Sequence, residues 1–203
     1  WAKRQRLLNP LLKEASLSLP VVTSGLTHGL SLIGDLFLNS GDTILTPDKI
    51  WGNYKLMWSV KSGATFETFP LYNEDLGFNL KGLESKLKER EGQKTLLVLN
   101  FPNNPTGYSP SKEEALAIKE ILKNACEKGS TLTVLCDDAY FGMNYEENCF
   151  PEGLFGLLCD LHQNLLAVKI DGPTKELFVW GFRVGFLTFG IKEGTKEAYE
   201  ALS

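Results

Sequence analysis

Short apolar runs separated by longer amphipathic segments recur along the chain. The run at 96–99 is continuously apolar, which is typical of a strand buried on both faces of a sheet. Turn-forming residues flank several other apolar runs of strand length. Further strands are predicted at 21–23, 43–45, 65–69, 131–136, 165–170 and 184–189.

The clearest helix is predicted for 111–128, because Ser111 can serve as its N-cap and Glu114 completes a capping box. A short helix is predicted to begin at Pro10, with Asn9 as its cap. Further helices are predicted at 27–39 (mostly apolar and buried), 52–60 and 80–90. Because strands alternate with helices, the chain is predicted to form an α/β domain with a mostly parallel sheet.

Composition narrows the class of protein. The 203 residues are 43% hydrophobic and 23% charged, enough for a sizeable core. The net charge of −4 and the lack of a long basic run argue against nucleic acid as the main partner. The four cysteines form no CxxC pair and only two histidines are present, so we expect no metal site and a reduced, cytoplasmic setting. No apolar stretch is long enough to suggest a membrane span.

Polar residues follow three of the predicted strands. Asn103 to Gly107 follow the strand at 96–99, Asp137 to Tyr140 follow the strand at 131–136, and Lys175 follows the strand at 165–170. Open α/β sheets bind ligands at the carboxyl ends of their strands. We therefore expect the three polar groups to meet in one pocket.

Lys175 and Arg183 have the spacing expected of a site that binds a phosphorylated aldehyde. A lysine at a strand end offers an amine to the aldehyde, and Arg183 offers a cation to the phosphate. Arg183 lies between Gly181 and Gly185 in an apolar segment, so we expect it to be a buried partner for an anion. Partial burial of Lys175 would favour the unprotonated amine that attacks a carbonyl.

Other candidates have a plain structural explanation as well as a functional one. Asp137 could be a helix cap, a surface group or the partner of a buried cation. Trp51 could pack in the core or stack on a flat heteroaromatic ring. The segment 24–29 joins a strand to a helix, whose free N–H groups suit a phosphate. His28 within it is expected to be a polar residue at the helix start rather than a catalyst.

Three motifs taken together resemble a known family. Asn-Pro-Thr-Gly at 104–107, Asp-x-x-Tyr at 137–140, and Lys175 followed eight residues later by Arg183 in Gly-x-Arg-x-Gly resemble the class I/II aminotransferases, pyridoxal-phosphate (PLP) enzymes of fold type I similar to aspartate aminotransferase. The matches run in the family's order over roughly residues 20 to 190. The resemblance implies a three-layer α/β/α fold with a mostly parallel seven-stranded sheet, and residues 1–203 as the PLP-binding large domain.

The resemblance also implies the roles of the residues that face the cofactor ring. Lys175 would form a Schiff base with the cofactor and then move a proton at the substrate. Asp137, which has the three-residue spacing to Tyr140 that Asp138 lacks, would pair with the protonated pyridine nitrogen. Asn104 and Tyr140 would hydrogen-bond the phenolic oxygen of the ring, and Trp51 would stack on it.

The phosphate group of the cofactor is assigned in the same way. The backbone of Leu26, Thr27 and His28, together with Arg183, would hold it. Many family members carry Ser or Thr three residues before the lysine, where this chain has Gly172. Thr174, next to Lys175, would take over part of that role.

The ends of the chain and its partners are also inferred by resemblance. The chain starts abruptly at Trp1 and stops in a segment, 192–203, that has the pattern of a helix start, so we expect part of a longer protein. An N-terminal segment and a C-terminal small domain, with the arginine for the substrate carboxylate, would lie outside it. The expected partners are an amino acid, a 2-oxo acid and a second copy in a homodimer.

Three alternatives to an aminotransferase remain open on these residues. A carbon–sulfur lyase or other β-eliminating PLP enzyme would share the same motifs. The aminotransferase-like sensor region of a transcription regulator would keep the lysine and carry a basic segment upstream. A degenerate, non-catalytic copy is disfavoured by the intact set of Asp137, Lys175 and Arg183.

Overall fold

Seven strands form one sheet in the computed structural model, which describes residues 1–192, 194 and 196–202. The sheet order is β1-β7-β6-β5-β4-β2-β3. β7 runs antiparallel to both of its neighbours, and every other pair is parallel. The predicted seven-stranded, mostly parallel sheet is confirmed. The strands are β1 (Val21–Thr23), β2 (Thr43–Pro47), β3 (Thr65–Phe69), β4 (Lys94–Asn100), β5 (Thr131–Asp137), β6 (Leu165–Asp171) and β7 (Gly185–Ile191).

The helices are mostly those that the sequence predicts. They are α1 (Ala2–Leu8), α2 (Leu26–Phe37), α3 (Asn53–Lys55), α4 (Leu80–Glu89), α5 (Lys112–Glu127), α6 (Phe155–Leu158), α7 (Pro173–Glu176) and α8 (Lys196–Leu202). A π-helical segment (Leu56–Val60) continues α3, and two 3₁₀ turns (Pro10–Leu12, Trp180–Phe182) connect other elements. The sequence did not predict α1, α6 or α7. The last two have four residues each, too few to show a 3.6-residue period.

The core lies on both faces of the sheet. In β4, Leu97 and Leu99 pack on one face with α4, α5 and α6. Leu96 and Val98 pack on the other face with α2 and the π-helical segment. Because successive side chains of a strand point to opposite faces, a continuously apolar strand serves both layers. The predicted three-layer α/β/α arrangement is confirmed.

Helix α5 begins as the capping box predicts. Ser111 Oγ accepts the Glu114 N–H at 3.1 Å, and Glu114 Oε2 accepts the Ser111 N–H at 2.7 Å. Glu114 also accepts the backbone N–H of Phe78 through Oε1 at 2.6 Å. These bonds fix the start of the helix that follows β4, and with it the loop that carries Asn104.

Two local predictions are wrong. Helix α2 is buried on one face only, where Gly29, Leu30, Ile33 and Gly34 pack, because it lies on the outside of the sheet. Asn9 does not cap the turn at Pro10 with its side chain. Its amide instead donates to Gln5 O at 3.0 Å and accepts the N–H of Gly153 at 3.0 Å. The predicted tail helix is α8, and Glu193, Thr195 and Ser203 lie outside the described residues.

Candidate active site

The carboxyl ends of β4, β5 and β6 open into one cleft. These strands are parallel neighbours, and Asn100 at the end of β4 lies opposite Asp137 at the end of β5. Nine of the ten predicted site residues line the cleft, and the exception is His28. The lining residues are Leu26, Thr27, Leu30, Trp51, Tyr54, Asn100, Asn104, Asp137, Ala139, Tyr140, Thr174, Lys175 and Arg183.

Asp137 is the buried carboxylate of this cleft, with 3% of its surface exposed. One carboxylate oxygen accepts a hydrogen bond from the Tyr54 hydroxyl, and the other accepts the N–H of Ala139 at 3.1 Å. Burial raises the pKa of Asp137 to about 6, although both hydrogen bonds lower it. Within the described part of the chain, no lysine, arginine or histidine nitrogen comes within 4 Å of it. A buried carboxylate without a counter-cation is suited to a cationic group of a ligand.

Asp138 has a different partner although it is the next residue. Its carboxylate forms an ion pair with Lys169 Nζ in β6, and both side chains are buried. Burial raises the pKa of Asp138, and the nearby Lys169 opposes that shift. The structure thus places Asp137 in the cleft, whereas the Asp138 carboxylate is paired in the protein interior.

Asn104 and Tyr140 lie together on the other side of Asp137. Asn104 Nδ2 is 3.5 Å from the Tyr140 hydroxyl. Asn100 fixes this arrangement, because its Nδ2 donates to Asp137 O at 2.9 Å and its Oδ1 accepts the Asn104 N–H at 2.7 Å. The pair therefore offers two polar hydrogen-bonding groups beside the carboxylate.

Lys175 lies in the single-turn helix α7, which begins at Pro173. Its Nζ is 5.5 Å from the centroid of the Tyr140 ring. The side chain is exposed, so the expected partial burial is wrong. The reason is that α7 lies at the mouth of the cleft, beyond the end of β6. The amine is accessible to a ligand in the cleft.

Arg183 lies against Gly25, the N-cap residue of α2. A methyl group added at Gly25 would be 2.6 Å from Nη2 of Arg183, so the guanidinium packs directly over this glycine. The expected burial of Arg183 is wrong, because its side chain is exposed at the rim of the cleft. The first N–H groups of a helix have no intrahelical acceptor, and here they lie beside a cation. Together they form a seat for an anion.

The absence of a Ser or Thr at Gly172 has a steric explanation. A Cβ atom there would be 2.8 Å from Leu26 Cδ1 and 2.9 Å from the carbonyl oxygen of Val184. The loop after β6 therefore packs too closely on the segment before β7 to admit a side chain. Thr174, which lines the cleft, supplies the nearest hydroxyl.

Trp51 and His28 occupy different positions relative to the cleft. Trp51 is half-buried and lines it, with its ring edge-on to Tyr54 at a centroid distance of 5.6 Å. His28 is exposed, and its Nδ1 accepts the N–H of Ser24 at 3.1 Å. His28 is thus engaged in ordering the start of α2, as expected for a polar residue at a helix start.

Sequence reasoning missed three residues that support the site. Tyr54 is fully buried, stacks on Trp58 at 5.1 Å and donates its hydroxyl hydrogen to Asp137. Asn100 joins Asp137 to the Asn104 loop, as described above. Lys169 was signalled by its position, because it is the one charged residue inside the apolar run at 165–170.

Across the residues that the structure describes, two kinds of feature are absent. No group of three or more His, Cys, Asp or Glu side chains is placed to hold a metal ion. In the same part of the chain, every helix is too short or too polar to cross a membrane.

Comparison with known proteins identifies the family to which the chain belongs. The model of the family described as aminotransferase class I and II matches residues 4–193. The chain belongs to the class I and II aminotransferase family. Members of this family generally depend on PLP and use amino acids and oxo acids as substrates.

Individual proteins that are similar to this chain are also named as aminotransferases. The chain is 29% identical over 182 residues to an LL-diaminopimelate aminotransferase of Natranaerobius thermophilus and 27% identical over 169 residues to an aspartate aminotransferase of Sulfolobus acidocaldarius. These alignments cover 88% and 82% of the chain but 42% and 39% of the relatives. The crystal structure of an aminotransferase from Anaerococcus prevotii superposes with a TM-score of 0.85 at 27% identity, covering 98% of this chain and 48% of that one. The chain therefore spans less than half the length of these relatives.

The buried carboxyl groups of this aminotransferase-family chain predict an unusual dependence of stability on pH. Burial raises the pKa of Asp137 and of Asp171 to about 6, from an ordinary 3.8, and also raises that of Asp138. Between about pH 4 and 6 the folded protein then binds protons that the unfolded chain releases. We expect the free energy of unfolding of the cofactor-free protein to rise by roughly 1–3 kcal/mol as the pH falls from 7.5 to 5.

Urea unfolding of cofactor-free protein at pH values from 5 to 7.5 measures this effect. The lowered pKa values of Asp42 and Asp48 do not interfere, because those groups take up protons only below their ordinary 3.8. The variant Asp137→Asn removes one of the three raised carboxyls and should show a shallower pH slope. A stability that is flat or that falls over this range would contradict the assignment.

Proposed function

We propose that this chain forms the PLP-binding part of an aminotransferase, which transfers an amino group between an amino acid and a 2-oxo acid. The observation that carries the proposal is the buried Asp137 carboxylate, without a counter-cation among the described residues, in a cleft that also holds the amine of Lys175. The family membership of the chain gives the class of chemistry. The names of its relatives support amino transfer over elimination.

The residues present fit the two charged ends of PLP. Asp137 offers a buried anion to the protonated pyridine nitrogen, and its raised pKa is the expected property of a carboxylate whose cation is supplied by a ligand. Arg183 and the N-terminus of α2, at Leu26 and Thr27, offer a cation and free N–H groups to the phosphate. Thr174 adds a hydroxyl on the Lys175 side.

Each residue of the cleft has a defined task in this proposal. When bound, PLP supplies an electron sink for the electrons of the substrate α-carbon. Asp137 would keep the proton on the pyridine nitrogen, and Asn104 and Tyr140 would hydrogen-bond the phenolic oxygen. Trp51 would cover one face of the ring. The amine of Lys175 would join the aldehyde carbon with loss of water, and after the substrate amine has displaced it, it would move a proton at the substrate α-carbon.

A half-reaction tests the function on the full-length protein. The protein is loaded with PLP and mixed with a panel of amino acids, and the absorbance of the cofactor and the products are followed. Conversion of the cofactor to its amine form, with one equivalent of 2-oxo acid, supports amino transfer. Release of ammonia and pyruvate would show β-elimination instead, and cofactor binding without either reaction would contradict both.

Two further properties belong to the proposal. The first is a homodimer, which is proposed because the active sites of this family lie at a subunit interface. Light scattering of the PLP-loaded full-length protein measures its oligomeric state. We also propose a cytoplasmic localisation, which the four unpaired cysteines favour, and fractionation of the source cells tests it. Neither property affects the assignment of the cleft residues.

The contact between Gly25 and Arg183 gives a specific prediction. Gly25→Ala places a methyl group 2.6 Å from Nη2 of Arg183, so the guanidinium must move away from the phosphate seat. Loss of one charge-assisted hydrogen bond of about 1.5–3 kcal/mol corresponds to roughly 10- to 100-fold weaker PLP binding. Titration of cofactor-free protein with PLP, followed by absorbance, measures the affinity.

Gly41→Ala is the matched control for this variant. Gly41 also has a positive φ, +86° against +84° for Gly25, and nothing lies within 4 Å of an added Cβ. Both variants place a Cβ at a residue of positive φ, but only Gly25→Ala brings it against Arg183. Equal PLP affinities for the two variants would show that Arg183 does not hold the phosphate.

A further inference from the structure

Helix α1 contacts both ends of the short segment that carries Lys175. At the start of this segment, Asp171 accepts the indole N–H of Trp1 at 3.0 Å and a hydrogen bond from Gln5 Nε2. At its end, Glu176 forms an ion pair with Arg4, in which both side chains are about one third exposed. Trp1, Arg4 and Gln5, at the N-terminal end of α1, thus contact both ends of the segment 171–176.

The contacts of α1 with this segment are directional rather than a general apolar packing. Gln5 is the one residue of α1 that is buried, whereas Leu7 and Leu8 are exposed. The Trp1 ring stacks on Phe186 of β7 at 4.5 Å and points its N–H at Asp171. The Arg4 guanidinium lies 5.6 Å from the Trp1 ring. Hydrogen bonds and an ion pair of this kind fix orientation as well as distance.

A buried cluster of charged side chains links Asp171 to Asp138, at the end of the neighbouring strand β5. Lys169 Nζ pairs with Asp138 and lies 3.7 Å from Asp171 Oδ2, and all three side chains are at most 4% exposed. The N–H of Asp138 donates to Ile170 O at 2.9 Å. Asp138 directly follows Asp137, so the cluster joins the ends of β5 and β6.

The Lys175 segment needs such support. Helix α7 is one turn long, and an isolated turn of helix is unstable because nucleation costs more than one hydrogen bond returns. The next residues include Phe178, whose positive φ of 54° is strained for a bulky side chain. The position of the Lys175 amine relative to Asp137 is therefore set by contacts from outside the segment.

We propose that Arg4 of α1, together with Asp171 and its partners Trp1, Gln5 and Lys169, positions Lys175 for its reaction with the cofactor and the substrate. The inference rests on the proposed function, in which Lys175 binds PLP. None of these residues lines the cleft, so they are positioning residues. Their role extends the active site to a helix that no motif in the sequence marks.

The test compares two arginine variants of the same helix in full-length, PLP-loaded protein. Arg4→Met removes the tie to Glu176. Arg6→Met is the control, because Arg6 donates to the carbonyl oxygens of Lys13 at 3.1 Å and Ala15 at 3.2 Å, away from the Lys175 segment. Arg4→Lys keeps a cation for Glu176 and serves as the rescue. Asp171→Asn keeps the shape of the side chain but removes the charge that faces Trp1, Gln5 and Lys169 at the start of the segment.

Three readouts separate positioning from stability. The pH midpoint of the absorbance change of the linked cofactor reports the surroundings of the Lys175 nitrogen. The rate constant kcat and KM for the best amino donor report the reaction, and the melting temperature reports the fold. We expect Arg4→Met and Asp171→Asn to shift the pH midpoint and to lower kcat by about 10- to 100-fold with little change in KM. Arg6→Met should change neither, and Arg4→Lys should recover most of the loss.

One outcome would overturn the inference. If Arg4→Met and Arg6→Met lower the melting temperature alike and leave the pH midpoint and kcat at the wild-type values, α1 is only a structural support. If Asp171→Asn alone fails to fold, the Arg4 comparison still decides the question. Failure of the proposed function would look different, because the wild-type protein itself would then lack the linked cofactor.

Discussion

Lys175→Ala is expected to abolish amino transfer, with a loss of at least about 10⁴-fold in kcat/KM, the upper range for a positioned acid–base group. The variant loses the covalent attachment of PLP and the amine that moves a proton at the substrate α-carbon. Asp137, Arg183 and the α2 N-terminus remain in the cleft. We therefore expect the variant to bind PLP without a covalent bond and to remain folded, because the Lys175 side chain is exposed.

Borohydride reduction followed by peptide mass mapping measures the covalent bond directly. The wild-type protein should carry the reduced cofactor on Lys175, and Lys175→Ala should carry none. Lys175→Arg separates charge from nucleophilicity, because a guanidinium keeps the positive charge but stays protonated. It should be as inactive as the alanine variant.

Lys123→Ala is the control for the loss of a surface lysine. Lys123 pairs with Glu127 on the outer face of α5 at 3.6 Å, and its variant should retain full activity. Amino transfer that survives in Lys175→Ala, or a reduced cofactor found on another lysine, would show that Lys175 is not the PLP lysine.

Asp137→Asn is expected to weaken PLP binding by about 10²- to 4 × 10³-fold. Removing one partner of a buried ion pair costs about 3–5 kcal/mol, because the other charge is left without compensation, and 1.4 kcal/mol corresponds to a factor of ten. The asparagine oxygen can accept the Ala139 N–H while its NH2 group donates to the Tyr54 hydroxyl oxygen, so both contacts of Asp137 are kept. Bound PLP would also lose the proton on its pyridine nitrogen, and kcat should fall with the affinity.

The same substitution should stabilise the protein when PLP is absent. Burial raises the pKa of Asp137 to about 6, so the ionised carboxylate is unfavourable in the folded chain above that pH. A neutral side chain removes this penalty, and we expect the free energy of unfolding at pH 7.5 to increase by roughly 1–2 kcal/mol. A gain in stability together with a loss of cofactor affinity is expected when a binding residue is energetically unfavourable until its ligand binds.

Two measurements on the Asp137→Asn variant test both parts of this prediction. PLP affinity is obtained by titration of the cofactor-free protein, and stability by urea unfolding of the same preparation. Asp35→Asn is the control, because Asp35 is an exposed partner of Lys61 and should change neither quantity. An Asp137→Asn protein that is less stable without PLP, or that binds PLP like the wild type, would contradict the role of Asp137.

Much of the fold was predictable because its signals are local. Each of the seven strands was predicted, and the central ones were clearest, since strands buried on both faces are mostly apolar, as at 96–99. The capping box at Ser111 and Glu114 was predicted from two residues because it needs no distant partner. The short helices α6 and α7 were missed, because their formation depends on packing rather than on a repeating pattern.

The candidate site divides in the same way. Asn104, Asp137 and Lys175 could be named from the sequence because they lie at the ends of strands that meet at one edge of the sheet. Arg183 could be named from its spacing to Lys175 and its flanking glycines. Exposure could not be predicted, and Lys175 and Arg183 are exposed rather than buried because they lie at the mouth of the cleft. Burial depends on what packs over a side chain, which its neighbours in the sequence do not determine.

The sequence by itself determined the α/β class, the strand pattern, the motif residues and the family resemblance, because each rests on residues close together in the chain. Only the tertiary structure decided that Tyr54 supports Asp137, that Lys169 takes Asp138, and that Gly172 has no room for a side chain. It also showed that Arg4, 172 residues before Glu176 in the chain, contacts the segment that carries Lys175. These relations join residues that are distant in sequence, and packing brings them together only in the folded chain.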